Sequence, residues 1–133
     1  MDLIISEILN TTKTIAVVGL SANPERPSND VAYFMQQNGF RIIPVNPNEE
    51  MILGEKSYPN LSAIPFEIDL VNIFRKPQDC AEIVSEAVHI KAKHVWLQLG
   101  VVNQEAQEIA TNAGINFVMD RCLKIDYFHL KNA

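Results

Sequence analysis

The stretch TIAVVGLSANPERPSND, Thr14 to Asp30, decides how this chain is read. Ile15-Ala16-Val17-Val18 is an uninterrupted apolar run, as expected of a strand buried on both faces of a parallel sheet. Gly19 ends the run. A polar loop with Pro24 and Pro27 follows, and Ser28 is the expected N-cap of a helix carrying Val31, Phe34 and Met35. A strand that stops at glycine and feeds a helix N-terminus aims backbone N–H groups and the positive end of a helix dipole at one crevice. The stretch therefore predicts a phosphate-bearing, nucleotide-like ligand before it says which one.

Working outward, strand and helix periods alternate along the chain. The patterns predict an N-terminal helix with Ile4, Ile5 and Ile8 on one face, strand 14–19, helix 28–38 and strand 40–45. An irregular segment with Pro47, Gly54, Pro59 and Pro65 comes next. Strand 69–74, helix 78–91, strand 94–99, helix 103–113 and a short strand 115–119 complete the series. Gly39 and Gly114 fall where left-handed helix C-caps belong, and Asn103 is an N-cap with Glu105 in the first turn. Five strands alternating with helices predict an α/β, Rossmann-like three-layer sandwich: a five-stranded, mostly parallel sheet with helices on both faces.

The 133 residues suit one domain, residues 1–133, with a substantial core. A content of 47% hydrophobic residues is that of an ordinary globular protein, and no apolar run reaches the ~20 residues that span a bilayer. MDLIISEILNTTK carries two acids, Asp2 and Glu7, and lacks a basic n-region, so it does not read as a signal peptide. A cytoplasmic location with reduced cysteines is the expectation. The net charge of -5 argues against a nucleic-acid partner while leaving room for a local basic pocket. Cys80 and Cys122 fit no zinc or CxxC spacing, and His89, His94 and His129 share no ligand spacing.

In a doubly wound sheet the ligand lies beyond the carboxyl ends of the strands. The residues to weigh are thus Gly19-Leu20-Ser21, Asn46-Pro47, Arg75-Lys76, Gly100-Val101 and Asp120-Arg121-Cys122. A dinucleotide site wants GxGxxG and then an acid about 20 residues on; here Gly19 stands alone and the second strand ends Val45-Asn46-Pro47. No Gly-Lys-Ser/Thr follows the first strand, which excludes a P-loop. What remains is the loop from Leu20 to Pro27, with Ser21, Asn23 and Arg26, and with two prolines that fix its shape. Arg26 either meets a phosphate in bidentate fashion or is a solvated loop arginine.

Arg75 and Lys76 are adjacent cations at a strand end, followed by Pro77 in the first helical turn. Phe74 either packs on an adenine or fills the core. Gln98 on a central strand needs a hydrogen-bond partner, from a ligand or from neighbouring backbone, and Gly100 beyond it permits close backbone approach. Trp96 reads as core or interface. Cys122 is either a thiol activated near an arginine or an inert buried cysteine. No nucleophile–base pair, carboxylate cluster or metal set emerges, so catalysis is not expected.

GLSANPERPS, PVNP, FRKP, WLQLGV and VMDRC, in that order, resemble the stand-alone CoA-binding proteins of the YccU-like type. These in turn are similar to the CoA-binding, Rossmann-like domain of the succinyl-CoA synthetase alpha subunit. The likeness runs from about Thr11 to Phe128. It implies coenzyme A or an acyl-CoA as ligand, held by the loop Gly19–Ser28, with Asn46-Pro47, Phe74-Arg75-Lys76 and Gln98–Gly100 facing it. The diphosphate and 3′-phosphate of CoA suit scattered cations better than a glycine-rich cradle does. The alternative is an NAD(H)-responsive regulatory module with a degenerate dinucleotide site. The synthetase activity does not carry over, because its phosphohistidine lies in a second domain.

Overall fold

The computed structural model describes residues 2–133. Its main sheet is built from β1 (Thr14–Val18), β2 (Arg41–Val45), β5 (Leu70–Ile73), β6 (His94–Leu97) and β7 (Asn116–Val118) in the order β2-β1-β5-β6-β7, every pair parallel. Helices α1 (Leu3–Thr11), α2 (Pro27–Gln37) and α5 (Leu123–Lys131) cover one face; α3 (Cys80–His89) and α4 (Gln104–Asn112) cover the other. The α/β three-layer sandwich predicted from the alternating periods is the observed fold.

Strand alternation sorts the core into two layers. Ile15, Val17, Leu70 and Trp96 point toward α1, α2 and α5, and Ala16, Val18, Val71, Ile73, Val95 and Leu97 point toward α3 and α4. Burial on both faces explains why these strands read as unbroken apolar runs. Gly39 and Gly114 follow α2 and α4 with φ of +95° and +75°, the left-handed stops expected from their positions. Asn103 caps α4 by accepting from the Ala106 N–H at 2.8 Å. Among the described residues no helix is long and apolar enough to cross a membrane.

Five features depart from expectation. Helix α2 starts at Pro27, so Arg26 is its N-cap in extended backbone and Ser28 lies inside the first turn. Proline fixes its own φ at a helical value and pushes the preceding residue out of the helical region, which overrides the capping preference of serine. The stretch 78–91 opens as a 3-10 turn, Pro77–Asp79, before α3 begins. The irregular segment contains a small antiparallel hairpin, β3 (Met51–Ile52) with β4 (Glu55–Lys56), whose turn includes Leu53 at φ +53°. Finally, α5 follows the short last strand, and on α1 the buried residues are Ile5, Ile8 and Leu9, leaving Ile4 exposed.

Candidate functional site

The chain enters the main sheet through β1, crosses by α2 to β2, then returns over β1 to β5. The winding direction therefore reverses between β1 and β5, and the crevice beyond that point is where such sheets take ligands. A cavity of about 690 Å³ opens there, within the size range of small-molecule sites. Its walls come from the β1–α2 loop, the first turn of α2, the end of β5, the end of β6 and the start of α5.

Gly19 makes this convergence possible. Its φ is +85°, and a Cβ there would collide with the Phe74 carbonyl oxygen and lie 3.1 Å from Cδ of Arg75. Only glycine lets the β1 loop and the β5 end approach so closely. The Phe74 N–H donates to Val18 O at 2.9 Å and the Gly19 N–H to Val45 O at 3.0 Å, so strand pairing continues into the site.

The loop after Gly19 is stapled from within. The Ser21 N–H donates to Ser28 Oγ at 2.9 Å, and Nδ2 of Asn29 donates to Ser21 O at 2.9 Å. Ser28, denied the cap position by Pro27, thus holds the loop against the helix instead. Asn46 reaches from the end of β2 to donate through Nδ2 to Leu20 O at 2.9 Å. Backbone groups fixed in this way meet a ligand without first losing conformational entropy.

Arg26, Arg75 and Lys76 are exposed on the crevice walls. Among the described residues Arg26 and Lys76 form no ion pair, and Arg75 reaches Asp79 at 3.1 Å in a half-exposed pair that is worth little. One carboxylate, Asp30, also lines the cavity, and Lys124 of α5 answers it at 3.1 Å. In a chain of net charge -5 the crevice is locally cationic. Such a field concentrates anions.

Beneath the opening lies a polar floor. Gln98, 7% exposed, accepts through Oε1 from Nδ2 of Asn72 at 3.3 Å and from the Leu123 N–H at 3.4 Å. Nδ2 of Asn72 also donates to Trp96 O at 3.3 Å, while its Oδ1 is buried without a partner among the described residues. The indole N–H of the fully buried Trp96 donates to Arg121 O at 2.8 Å, pinning the loop before α5 over β6. Arg121 turns its guanidinium onto the buried Asp126, bidentate at 2.7 and 2.8 Å; that hydrogen bonding raises its pKa against a smaller opposing effect of burial.

Of the residues singled out from sequence, Gly19, Ser21, Arg26, Ser28, Phe74, Arg75, Lys76, Gln98 and Cys122 line this one cavity. The other six do not. Leu20 and Val45 are core residues, one in each layer. Asn23 shapes its own turn by accepting from the Glu25 N–H at 3.0 Å. Asn46 is spent on Leu20 O and on the Asn48 N–H at 2.9 Å, and Pro47 sits in the exposed turn beyond it. The Gly100 N–H donates to Asp120 Oδ1 at 2.7 Å. Asn46 and Pro47 stand apart from the cavity for a topological reason: β2 is an edge strand, so residues after it lie one strand away from the reversal. The cavity adds Pro27, Asp30, Val31 and Leu99, together with Val101, one of the strand-end residues weighed from sequence. Asp30 and Val31 follow Pro27 in the first turn of α2, so helical periodicity carried the signal for them.

A parallel α/β sheet with a cationic crevice at its reversal point is a Rossmann-like architecture. Residues 13–127 match the CoA binding domain family, and the chain belongs to that family. It is 41% identical over 121 residues to the uncharacterized protein YneT of Bacillus subtilis, covering 91% of this chain and 90% of that one. A solved structure of a hypothetical protein from Pyrococcus horikoshii superposes with a TM-score of 0.92 at 40% identity, covering 96% of this chain and 89% of that one. The ADP-forming acetate–CoA ligase II of Archaeoglobus fulgidus is 37% identical over 76 residues, which is 56% of this chain and 11% of the ligase. The CoA-binding family expected from the strand-end motifs is the family found.

Proposed function

We propose that the crevice binds coenzyme A or an acyl-CoA and that the chain carries no catalytic step of its own. One observation supports this most: the close approach at Gly19 gathers Arg26, Arg75 and Lys76, three exposed cations from two strand ends, around one preformed cavity. The donor chemistry fits the ligand. CoA presents a diphosphate and a separate 3′-phosphate, and guanidinium and ammonium groups bind such oxygens through charge-assisted hydrogen bonds. In this reading Arg26 and the N-terminal turn of α2 take one phosphate group, and Arg75 with Lys76 take another. Membership of the CoA binding domain family, and the likeness of 76 residues to part of an acetate–CoA ligase, favour the same ligand. The chain matches about a tenth of that ligase, and the ligase reaction is not assigned to it.

The non-catalytic part of the reading rests on side-chain chemistry. Around the cavity stand three cations, one acid paired with Lys124, one amide, two serine hydroxyls and one thiol, without a base set beside a nucleophile. The test is calorimetric titration with CoA, acetyl-CoA, NAD and NADP. Heat with CoA or acetyl-CoA and none with the dinucleotides is the expected result. Absence of binding to both CoA and acetyl-CoA would sink the proposal, and preference for NAD would replace it with a dinucleotide-responsive module.

A further inference from the structure

The two cysteines of the chain are placed in opposite circumstances. Cys80 opens α3 with no exposure at all, and its Sγ donates to Lys76 O at 3.4 Å. Burial, helped by the nearby Asp79 carboxylate, pushes its thiol pKa up, with Arg75 opposing weakly. Cys80 is packing. Cys122 is the N-cap of α5, its side chain makes no capping hydrogen bond, and it lines the crevice as a half-buried group.

A thiol at a helix start is not by itself a site. Gln98 supplies the independent sign that something polar belongs beside it. Gln98 is 7% exposed and lines the same cavity, and the Leu123 N–H bound to its Oε1 belongs to the residue next to Cys122. Its carbonyl is fully used by Asn72 and Leu123, yet among the described residues its amide NH2 donates to nothing. A nearly buried amide with an idle donor, open to the crevice, calls for an acceptor there. Leu99 and Val101 add apolar surface to the same cavity. The β6 side of the crevice thus combines an amide donor, apolar walls and a thiol, whereas the β1–β5 side carries the cations.

That division matches the two ends of CoA. Its phosphates want cations. Its pantetheine arm carries amide carbonyls, methylenes and a terminal sulfur. β6 lies two strand spacings from β1, roughly 10 Å. The pantetheine arm, with two amide units, is about as long as four extended residues, roughly 14 Å. The arm therefore reaches from phosphates at Arg26 or Arg75 to the sulfur of Cys122.

We propose that Cys122 captures coenzyme A covalently, by thiol–disulfide exchange with a CoA disulfide bound in the crevice. This rests on the CoA reading above. Cys122 Sγ, as thiolate, attacks one sulfur of the CoA–S–S–CoA disulfide. A Cys122–S–S–CoA bond forms, the original S–S bond breaks, and the departing CoA thiolate takes up the proton that Cys122 gave to solvent. One disulfide is consumed and one formed, so no further oxidant is needed. Gln98 holds an amide carbonyl of the arm and sets the approach.

The test incubates the intact protein with CoA disulfide and follows it by non-reducing intact-mass analysis, with peptide mapping of the adduct. The expected product carries one CoA unit at Cys122, is reversed by dithiothreitol, and is absent in Cys122→Ser but present in Cys80→Ser. Mapping on the unsubstituted protein keeps the result readable if a variant fails to fold. Binding before reaction should make CoA disulfide react about tenfold faster or more than glutathione disulfide at equal concentration. Reduced CoA, added in excess, should slow the reaction. Equal rates with glutathione disulfide, or an adduct mapped to Cys80, would overturn the inference. A parallel calorimetric titration with reduced CoA, in the presence of a phosphine reductant, separates the two readings. Binding there without any Cys122 adduct defeats the capture step alone, and no binding there defeats both.

Discussion

Asp69, His94 and Asn116 stand at the starts of β5, β6 and β7, while Gly19, Arg75 and Gln98 stand at or just beyond the ends of β1, β5 and β6. At the starts, polar groups answer one another. Asp69 Oδ2 accepts from the Lys13 and Thr14 N–H groups at 2.9 and 3.0 Å, and Oδ1 takes Lys93 Nζ at 3.3 Å. His94 lies between Thr11 Oγ1 at 2.9 Å and Asn116 Nδ2 at 3.3 Å, and the same Nδ2 donates to Glu7 Oε2 at 2.7 Å. At the ends, cations and an amide donor face an open crevice, and the loop is braced from behind by Asn29, Ser28 and Asn46. One edge closes the fold and the other leaves its polar groups open to the crevice. Both use strand-end polar residues, so residue type alone does not separate stability from binding; what separates them is whether partners are already present.

The sharpest way to break this division is Gly19→Ala, because Gly19 belongs to both jobs. A side chain at φ +85°, pressed against the Phe74 carbonyl, costs about 2–4 kcal/mol from left-handed backbone strain and overpacking together. Urea unfolding should show that loss, and CoA titration should show binding lost with it. An alanine variant that keeps full affinity would mean the approach of β1 to β5 does not form the site.

Next comes Arg75→Ala, with Lys76→Ala as its companion. Each should weaken CoA binding by about 1–3 kcal/mol as a charged hydrogen bond is lost. Each should move the urea midpoint little, since both residues are exposed and the Asp79 pair is a surface one. Loss of stability comparable to the loss of binding would erase the contrast between the two edges. The mirror experiment is Asp69→Asn. It weakens two backbone anchors and the Lys93 pair, costs about 1–2 kcal/mol of stability, and leaves CoA affinity unchanged.

Much of this contrast is legible in the order of residues along the chain. Apolar runs bounded by turn signals mark the five parallel strands, and the residues singled out around their ends and the loop after β1 include nine that line the cavity. Three things escape such a reading, each for a physical reason. Strand order is a long-range property, so the edge position of β2, and with it the bracing role of Asn46 behind the loop, stays hidden. Helix α5 buries Leu123, Asp126 and Tyr127, and a carboxylate in the buried stripe spoils the apolar period until its Arg121 partner is seen. The hairpin turns through a left-handed leucine, a residue that announces no such turn.

The smallest expected effect is also the most selective, because it titrates one edge only. Burial holds the His94 pKa below its ordinary 6.5; Glu7 and Asp69 pull the other way without prevailing, and Lys93 lowers it further. As pH falls through about 6.5 the unfolded chain therefore takes up its proton first, and stability is lost down to the lower folded value. Burial would raise the pKa of Asp69, but the Thr14 and Lys13 N–H groups and Lys93 outweigh it and leave it below 3.8. Its contribution is present above 3.8 and disappears as pH falls through the folded value. Both signs make the N-terminal edge acid-labile. Protonating His94 also turns Nδ1 into a donor facing the Asn116 amide nitrogen, which is itself a donor already committed to Glu7. The urea midpoint should thus decline from about pH 6.5 toward 5, the window in which histidine titrates. His94→Gln should flatten that decline while CoA affinity over the same window stays as in the unsubstituted protein. A wild-type midpoint that is level across the window would remove His94 from the set of groups that close the fold.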